Sequence, residues 1–78
     1  MARIIKFEKN DCVPCDQVSA YLDNKGISYE RINPFDEPEL AVKFKVRTVP
    51  TVIVLNGEEI QHRIIGFKPQ ELEEAIAQ

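Results

Sequence analysis

Cys12 and Cys15 are the only two cysteines among 78 residues, and they stand three positions apart in Cys12-Val13-Pro14-Cys15. A pair at this spacing, between an apolar run and a helical pattern, works as a redox dithiol or supplies two metal ligands. A thiol attacks well only as the thiolate. A helix N-terminus favours that form, because unpaired N–H groups and the helix dipole stabilise negative charge. Cys12 lies where a helix should begin, so it is expected to attack a substrate disulfide and form a mixed disulfide. Cys15 lies one turn further in and is expected to be more buried. Its part is to attack Cys12, release the reduced substrate and close an internal disulfide.

Other residues bear on this chemistry. Lys9, three positions before Cys12, either adds positive charge beside the thiol or is an ordinary solvated lysine. Thr48-Val49-Pro50 directly precedes the apolar run Thr51–Leu55. Its proline either opens a strand, where a missing N–H is tolerated, or forms a cis turn that brings backbone up to the dithiol. The residues alone leave both open. As for metal, structural zinc takes four ligands, and His62, expected on a strand surface, is the only other soft donor. A metal or iron–sulfur module with Cys12 as a thiolate therefore stays as an alternative, and no metal ligand set is assigned.

The elements that must position these residues follow from periodicity. Arg3–Phe7 reads as a short buried strand. Lys9-Asn10-Asp11 is a polar loop, and a helix starts at Asp11 or Cys12, with Pro14 tolerated in its first turn. Val18, Tyr21 and Leu22 form its apolar face, and Lys25-Gly26 ends it. Ile27–Asn33 reads as a second strand, stopped by Pro34. Asp36 opens a second helix, with Asp36 and Glu39 at capping-box spacing and Leu40 and Phe44 as its packing residues. Thr51–Leu55 is continuously apolar, as in a central strand. Asn56-Gly57 predicts a type I′ hairpin into a strand over Glu58–Ile65, with Ile60 and Ile64 among its apolar positions. Pro69 starts a last helix whose stripe is Leu72, Ala75 and Ile76, and Phe67 is placed to pack back on Leu72. Tyr21 and Tyr29 are expected to be packing residues. The order is β-α-β-α-β-β-α, which implies an α/β domain over residues 1–78 with a four-stranded mixed sheet flanked by three helices.

Composition narrows the partners. The formal net charge is −3, which argues against a general nucleic-acid surface. Hydrophobic residues are 44% and charged residues 29%, ordinary for a globular domain. No apolar run approaches the length of a membrane span, and the first residues carry no signal-peptide h-region. A cytoplasmic monomer is expected, a setting where a dithiol is more often catalytic than structural.

With these residues in view, the chain resembles the thioredoxin superfamily over nearly its whole length. The resemblance rests on Cys12-Val13-Pro14-Cys15 after the first strand, Thr48-Val49-Pro50 before the third, and Gly66 after the fourth. It implies a thiol–disulfide oxidoreductase with the thioredoxin fold, a cis Val49-Pro50 bond facing the cysteines, and a Val49 backbone that pairs with an extended substrate segment. Within the superfamily, the absence of Trp and the Val in place of Gly depart from ordinary thioredoxins, whose extra N-terminal strand and helix are also missing. The size and Lys9 resemble glutaredoxins, but the Gly-Gly-Asp of their glutathione site is replaced by Gly66-Phe67-Lys68-Pro69. That stretch is similar to the Gly-Phe-Arg-Pro of NrdH-redoxins, whose dithiol is often Cys-Val-Gln-Cys. Here Val13 matches and Pro14 does not, and their Trp before Gly-Phe gives way to Ile64-Ile65.

The NrdH-redoxin resemblance implies no bound cofactor. Electrons would come from NADPH through thioredoxin reductase and pass to a class Ib ribonucleotide reductase or a similar disulfide protein. Thr48, Val49, Pro50, Gly66 and Phe67 would shape the substrate groove, with Lys9 beside it. The alternative is a glutaredoxin using glutathione. Larger thioredoxins also carry a buried Asp beneath the dithiol, for which Lys6, Glu8 and Glu30 are the candidates by strand position.

Overall fold

The computed structural model describes residues 2–77. Strand β1 (Ala2–Phe7) is followed by helix α1 (Val13–Asn24), β2 (Glu30–Ile32), α2 (Pro38–Lys43), β3 (Thr51–Asn56), β4 (Glu59–Ile65) and α3 (Pro69–Ile76). The sheet order is β2-β1-β3-β4. β1 and β2 run parallel, and the β1–β3 and β3–β4 pairs are antiparallel. This is the expected thioredoxin fold.

The two central strands explain the layering. Side chains alternate across a sheet, and both faces of β3 are covered, so Val52, Ile53, Val54 and Leu55 are all buried. Val52, Val54 and Ile64 join Val18 and Leu22 of α1 and Leu72 and Ala75 of α3 on one face. Ile5, Phe7, Ile53 and Leu55 form the other core, against which Leu40 and Phe44 pack. Phe44 meets Phe7 edge to face, with ring centroids 6.0 Å apart.

Three local expectations are corrected, and one irregularity is added. The strand expected over residues 27–33 is only Glu30–Ile32. β1 supplies ladder partners for β2 at Ile5, Lys6 and Phe7, and Ile27 is occupied earlier, its N–H capping α1 at the Leu22 carbonyl (3.0 Å). The Asp36/Glu39 capping box does not form. Pro38 takes the first helical position and Glu37 becomes the N-cap, with no side-chain cap bond. Instead the N–H groups of Asp36 and Glu37 both donate to the Asn33 carbonyl at 3.0 Å. The hairpin turn is centred on Gly57-Glu58, between the paired Asn56 and Glu59. Only Gly57 has a positive φ there (63°), whereas type I′ needs two such residues. Glycine at the first central position is the type II′ pattern. Finally, a β-bulge lets Val54 pair with His62 but Leu55 with Ile60. Gln61 is the extra residue, so Ile60 and Ile64 fall on opposite faces and Ile60 is 39% exposed.

Candidate active site

The dithiol sits where β1 turns into α1. Asp11 takes a left-handed conformation (φ 54°) and sends the chain into the helix; a short polar side chain tolerates this better than most. Cys12 is the N-cap, with extended backbone, and its Sγ accepts a hydrogen bond from the Cys15 N–H at 3.2 Å. Its carbonyl accepts from the Asp16 N–H at 3.1 Å. Val13 and Pro14 occupy the first two helical positions, and the missing N–H of Pro14 removes a donor that would have no partner there. Cys12 and Cys15 are disulfide-bonded, with Cα atoms 5.2 Å apart. Cys15 is 1% exposed and Cys12 7%. The expected asymmetry is present, and the bond to the Cys15 N–H is the kind that stabilises a thiolate at Cys12.

The register gathers the other expected residues at the same end of the sheet. Phe7, Thr51 and Ile65 pair side by side across β1, β3 and β4. The chain leaves Phe7 toward Cys12, arrives at Thr51 from Pro50, and leaves Ile65 toward Gly66. The Val49-Pro50 bond is cis, as the resemblance implied. Pro50 is buried, Val49 half-buried and Thr48 exposed. The Thr51 hydroxyl donates to the Thr48 carbonyl at 2.7 Å, and the Gly66 N–H donates to the Pro50 carbonyl at 2.8 Å. Gly66 has φ 83°, which glycine adopts without a Cβ penalty. These two bonds hold the loop before β3 and the end of β4 as one ledge.

Phe67 turns partly inward. It packs against the α1–α3 core, meeting Tyr21 edge to face at 6.5 Å. Lys9 is exposed on the loop between β1 and α1. Val13, 71% exposed, and Ile65, 46% exposed, add apolar surface at this end; their exposure is not expected from sequence, because an apolar residue in a helix or strand is read as core. His62 is half-buried in β4. Among the described residues, no three His, Cys, Asp or Glu side chains converge to hold a metal ion.

The three strand-position candidates separate. Glu30 is exposed at the outer strand, paired with Arg3 through two hydrogen bonds of 2.7 and 2.8 Å, which hold its carboxyl below the ordinary range. Lys6 is 1% exposed on the α1 face of β1 and donates to both Glu8 and the Ser19 hydroxyl. Arg31 joins from β2, reaching Glu8 at 3.2 Å and Ser19 Oγ at 3.1 Å. Burial pushes the Glu8 carboxyl up, but Lys6 and Arg31 together outweigh it and hold the group below its ordinary value. Sequence reading missed Ser19 and Arg31 here. The available signal was a lysine inside Ile4-Ile5-Lys6-Phe7, since a charge in a buried central strand needs a partner.

Comparison with known proteins agrees with this geometry. The model of the glutaredoxin family matches residues 4–60. The SPbeta prophage-derived thioredoxin-like protein YosR of Bacillus subtilis (strain 168) is 45% identical over 76 residues, covering 95% of this chain and 94% of that protein. A thioredoxin of Staphylococcus haemolyticus (strain JCSC1435) is 27% identical over 75 residues, with 88% and 72% covered. Among solved structures, the short form of spinach chloroplast thioredoxin f superposes with a TM-score of 0.86 at 20% identity, covering 97% of this chain and 73% of that one.

Proposed function

The chain belongs to the glutaredoxin/thioredoxin-like superfamily, and on that premise we propose that it works as a small redoxin of the NrdH type. It is a thioredoxin-like thiol–disulfide oxidoreductase with Cys12 and Cys15 as the redox pair. Reduced by thioredoxin reductase at the expense of NADPH, it would pass electrons to a class Ib ribonucleotide reductase or a similar disulfide protein. It needs no bound cofactor of its own, because the electrons travel as thiols.

The single observation that carries the reading is the stretch Gly66-Phe67-Lys68-Pro69 between β4 and α3. A glutathione site of the Gly-Gly-Asp kind offers a carboxylate there. Here Phe67 fills the place with a ring tied to Tyr21, and Lys68 follows with the opposite charge.

In the reduced protein the Cys12 thiolate attacks one sulfur of the substrate disulfide, and the other sulfur leaves as a thiolate and takes up a proton. The Cys15 thiolate then attacks Cys12, the second substrate sulfur leaves, and the internal disulfide forms. The hydrogen bond from the Cys15 N–H favours Cys12 as attacker, and the deeper burial of Cys15 keeps it from external disulfides. Thr48, Val49 and Pro50 would line the substrate strand, whose backbone adds to that of Val49.

The test follows NADPH oxidation with a disulfide substrate. Thioredoxin reductase is compared with glutathione plus glutathione reductase. Turnover is expected with thioredoxin reductase; rapid turnover in the glutathione system alone would assign the protein as a glutaredoxin instead. In the same assay Cys12→Ser is expected to be inactive and Cys15→Ser to accumulate a mixed disulfide. Full activity of Cys12→Ser would reverse the roles.

A further inference from the structure

The mechanism above makes no use of the buried ionic cluster under α1, although a buried ammonium is costly unless something answers to it. Lys6 lies on β1 with its side chain 1% exposed and bonded to Glu8 and Ser19. Arg31 donates to the same Ser19 oxygen and to Glu8. Both cations also lie over the Tyr29 ring, 5.9 and 5.7 Å from its centroid.

Ser19 is four residues beyond Cys15 in α1, and both are buried, so they share the face turned to the sheet. Side chains at that spacing have Cβ atoms roughly 5–6 Å apart. A cation hydrogen-bonded to Ser19 therefore lies within roughly 10 Å of Cys15. With two donors at its oxygen, the Ser19 hydroxyl points its own hydrogen away from both cations. The bonded groups are two cations and one carboxylate, and the exposed Asp23 of α1 adds a second carboxylate that acts on Arg31 and partly offsets it, so the buried Lys6 carries most of the field under α1.

We propose that Lys6 and Arg31, gathered by Glu8 and Ser19 beneath α1, provide a positive field that stabilises the Cys15 thiolate in the resolving step. The proposal rests on Cys15 being the resolving thiol. In that step Cys15 loses its proton to solvent and attacks Cys12. The Cys12–substrate bond breaks as Cys12–Cys15 forms, and the departing substrate thiolate takes a proton back. Lys6 bonds to Ser19 and Glu8 rather than to a sulfur, so it is a positioning charge and not a catalytic residue. The other groups facing the cluster are Tyr29, whose hydroxyl donates to Asp23 of α1 at 3.1 Å, and the neutral Val52, register partner of Lys6 on β3. Glu8 is held below the ordinary carboxylate range and Arg31 above its ordinary value. The charge of that pair is therefore constant across the range in which a thiol titrates.

The experiment titrates Cys15 in the Cys12→Ser background by thiolate absorbance and by the pH dependence of alkylation. Lys6→Met is expected to raise the midpoint by about half a unit to one unit. Lys6→Arg is expected to leave it in place. Arg31→Gln is expected to raise it by less, since that side chain is half exposed. Glu8→Gln, which removes the anion, is expected to lower it. Shifts of opposite sign from neighbouring substitutions are not produced by a loosened structure. Should Lys6→Met fail to fold, Glu8→Gln and Arg31→Gln decide the matter. Midpoints in both that stay within about 0.2 units of the parent would overturn the proposal. No reductase or target takes part in the titration, so its outcome is separable from that of the reductase comparison.

Discussion

At the scale of single residues, position separates groups of the same type. Cys12 and Cys15 were legible because a rare residue type recurs at a spacing with few uses. Lys6 and Glu8 were legible only as strand positions, because their partners Ser19 and Arg31 come from other elements and no local pattern announces them. The pairing has a consequence in acid. The Glu8 carboxyl is held below its ordinary value of 4.5 in the folded protein. A depressed carboxyl contributes stability that is present above the unfolded value and is lost as pH falls through the folded one. The parent should therefore lose stability as pH drops below about 4.5, and Glu8→Gln should lose less over the same interval. Urea midpoints measured against pH check this, and parallel curves would remove Glu8 as a source of acid sensitivity. Glu30 has the same sign of shift but sits in an exposed pair with Arg3, where solvent screening leaves little net effect.

At the scale of elements, helix ends were read unevenly, and the reason lies in who satisfies the last carbonyls. α1 ends as its glycine suggested. The Ile27 N–H donates to the Leu22 carbonyl and the Gly26 N–H to that of Asp23, both at 3.0 Å, with Gly26 at φ 66°. α2 ends in the same double-bonded way, Val46 to Ala41 at 2.8 Å and Lys45 to Val42 at 3.2 Å. There the left-handed position is held by Lys45 at φ 57°. Basic residues at Lys43 and Lys45 suit a helix C-terminus, but nothing in the sequence marks Lys45 itself as the left-handed residue, a place usually taken by glycine. Similarly, the Asp36/Glu39 spacing suggested a capping box that Pro38 displaced by one residue. The unusual occupant of the α2 cap yields a prediction. A left-handed Cβ residue costs roughly 1–2 kcal/mol, and glycine's extra chain entropy returns roughly half of that. Lys45→Gly should stabilise the protein by up to about 1 kcal/mol, seen as a higher urea midpoint with an unchanged slope. A lower midpoint would mean that the Lys45 side chain contributes more than its backbone strain removes.

At the scale of the whole molecule, the sheet divides the interior into two thin cores, and the alternation of β3 feeds both. That much was legible, since a short, β-branched, unbroken apolar run ahead of Asn56-Gly57 is typical of a strand covered on two sides. The bulge at Gln61 was not, because nothing local distinguishes an extra strand residue from a regular one. The bulge decides which isoleucines matter. Ile53 and Ile60 share the face covered by α2, but Ile53 is fully buried on a central strand while Ile60 is 39% exposed at the edge. α2 itself has six residues and none fully buried, so this core has little depth with which to absorb a void. A domain of this length is stable by roughly 4–12 kcal/mol. Ile53→Ala should cost about 2–5 kcal/mol through lost burial and a cavity that α2 only partly closes. Ile60→Ala should cost about 1 kcal/mol or less, because part of that side chain already meets water. Urea unfolding of the two variants, in the oxidised protein so that the disulfide is constant, measures the difference. Equal losses would mean that α2 collapses onto the site of Ile53.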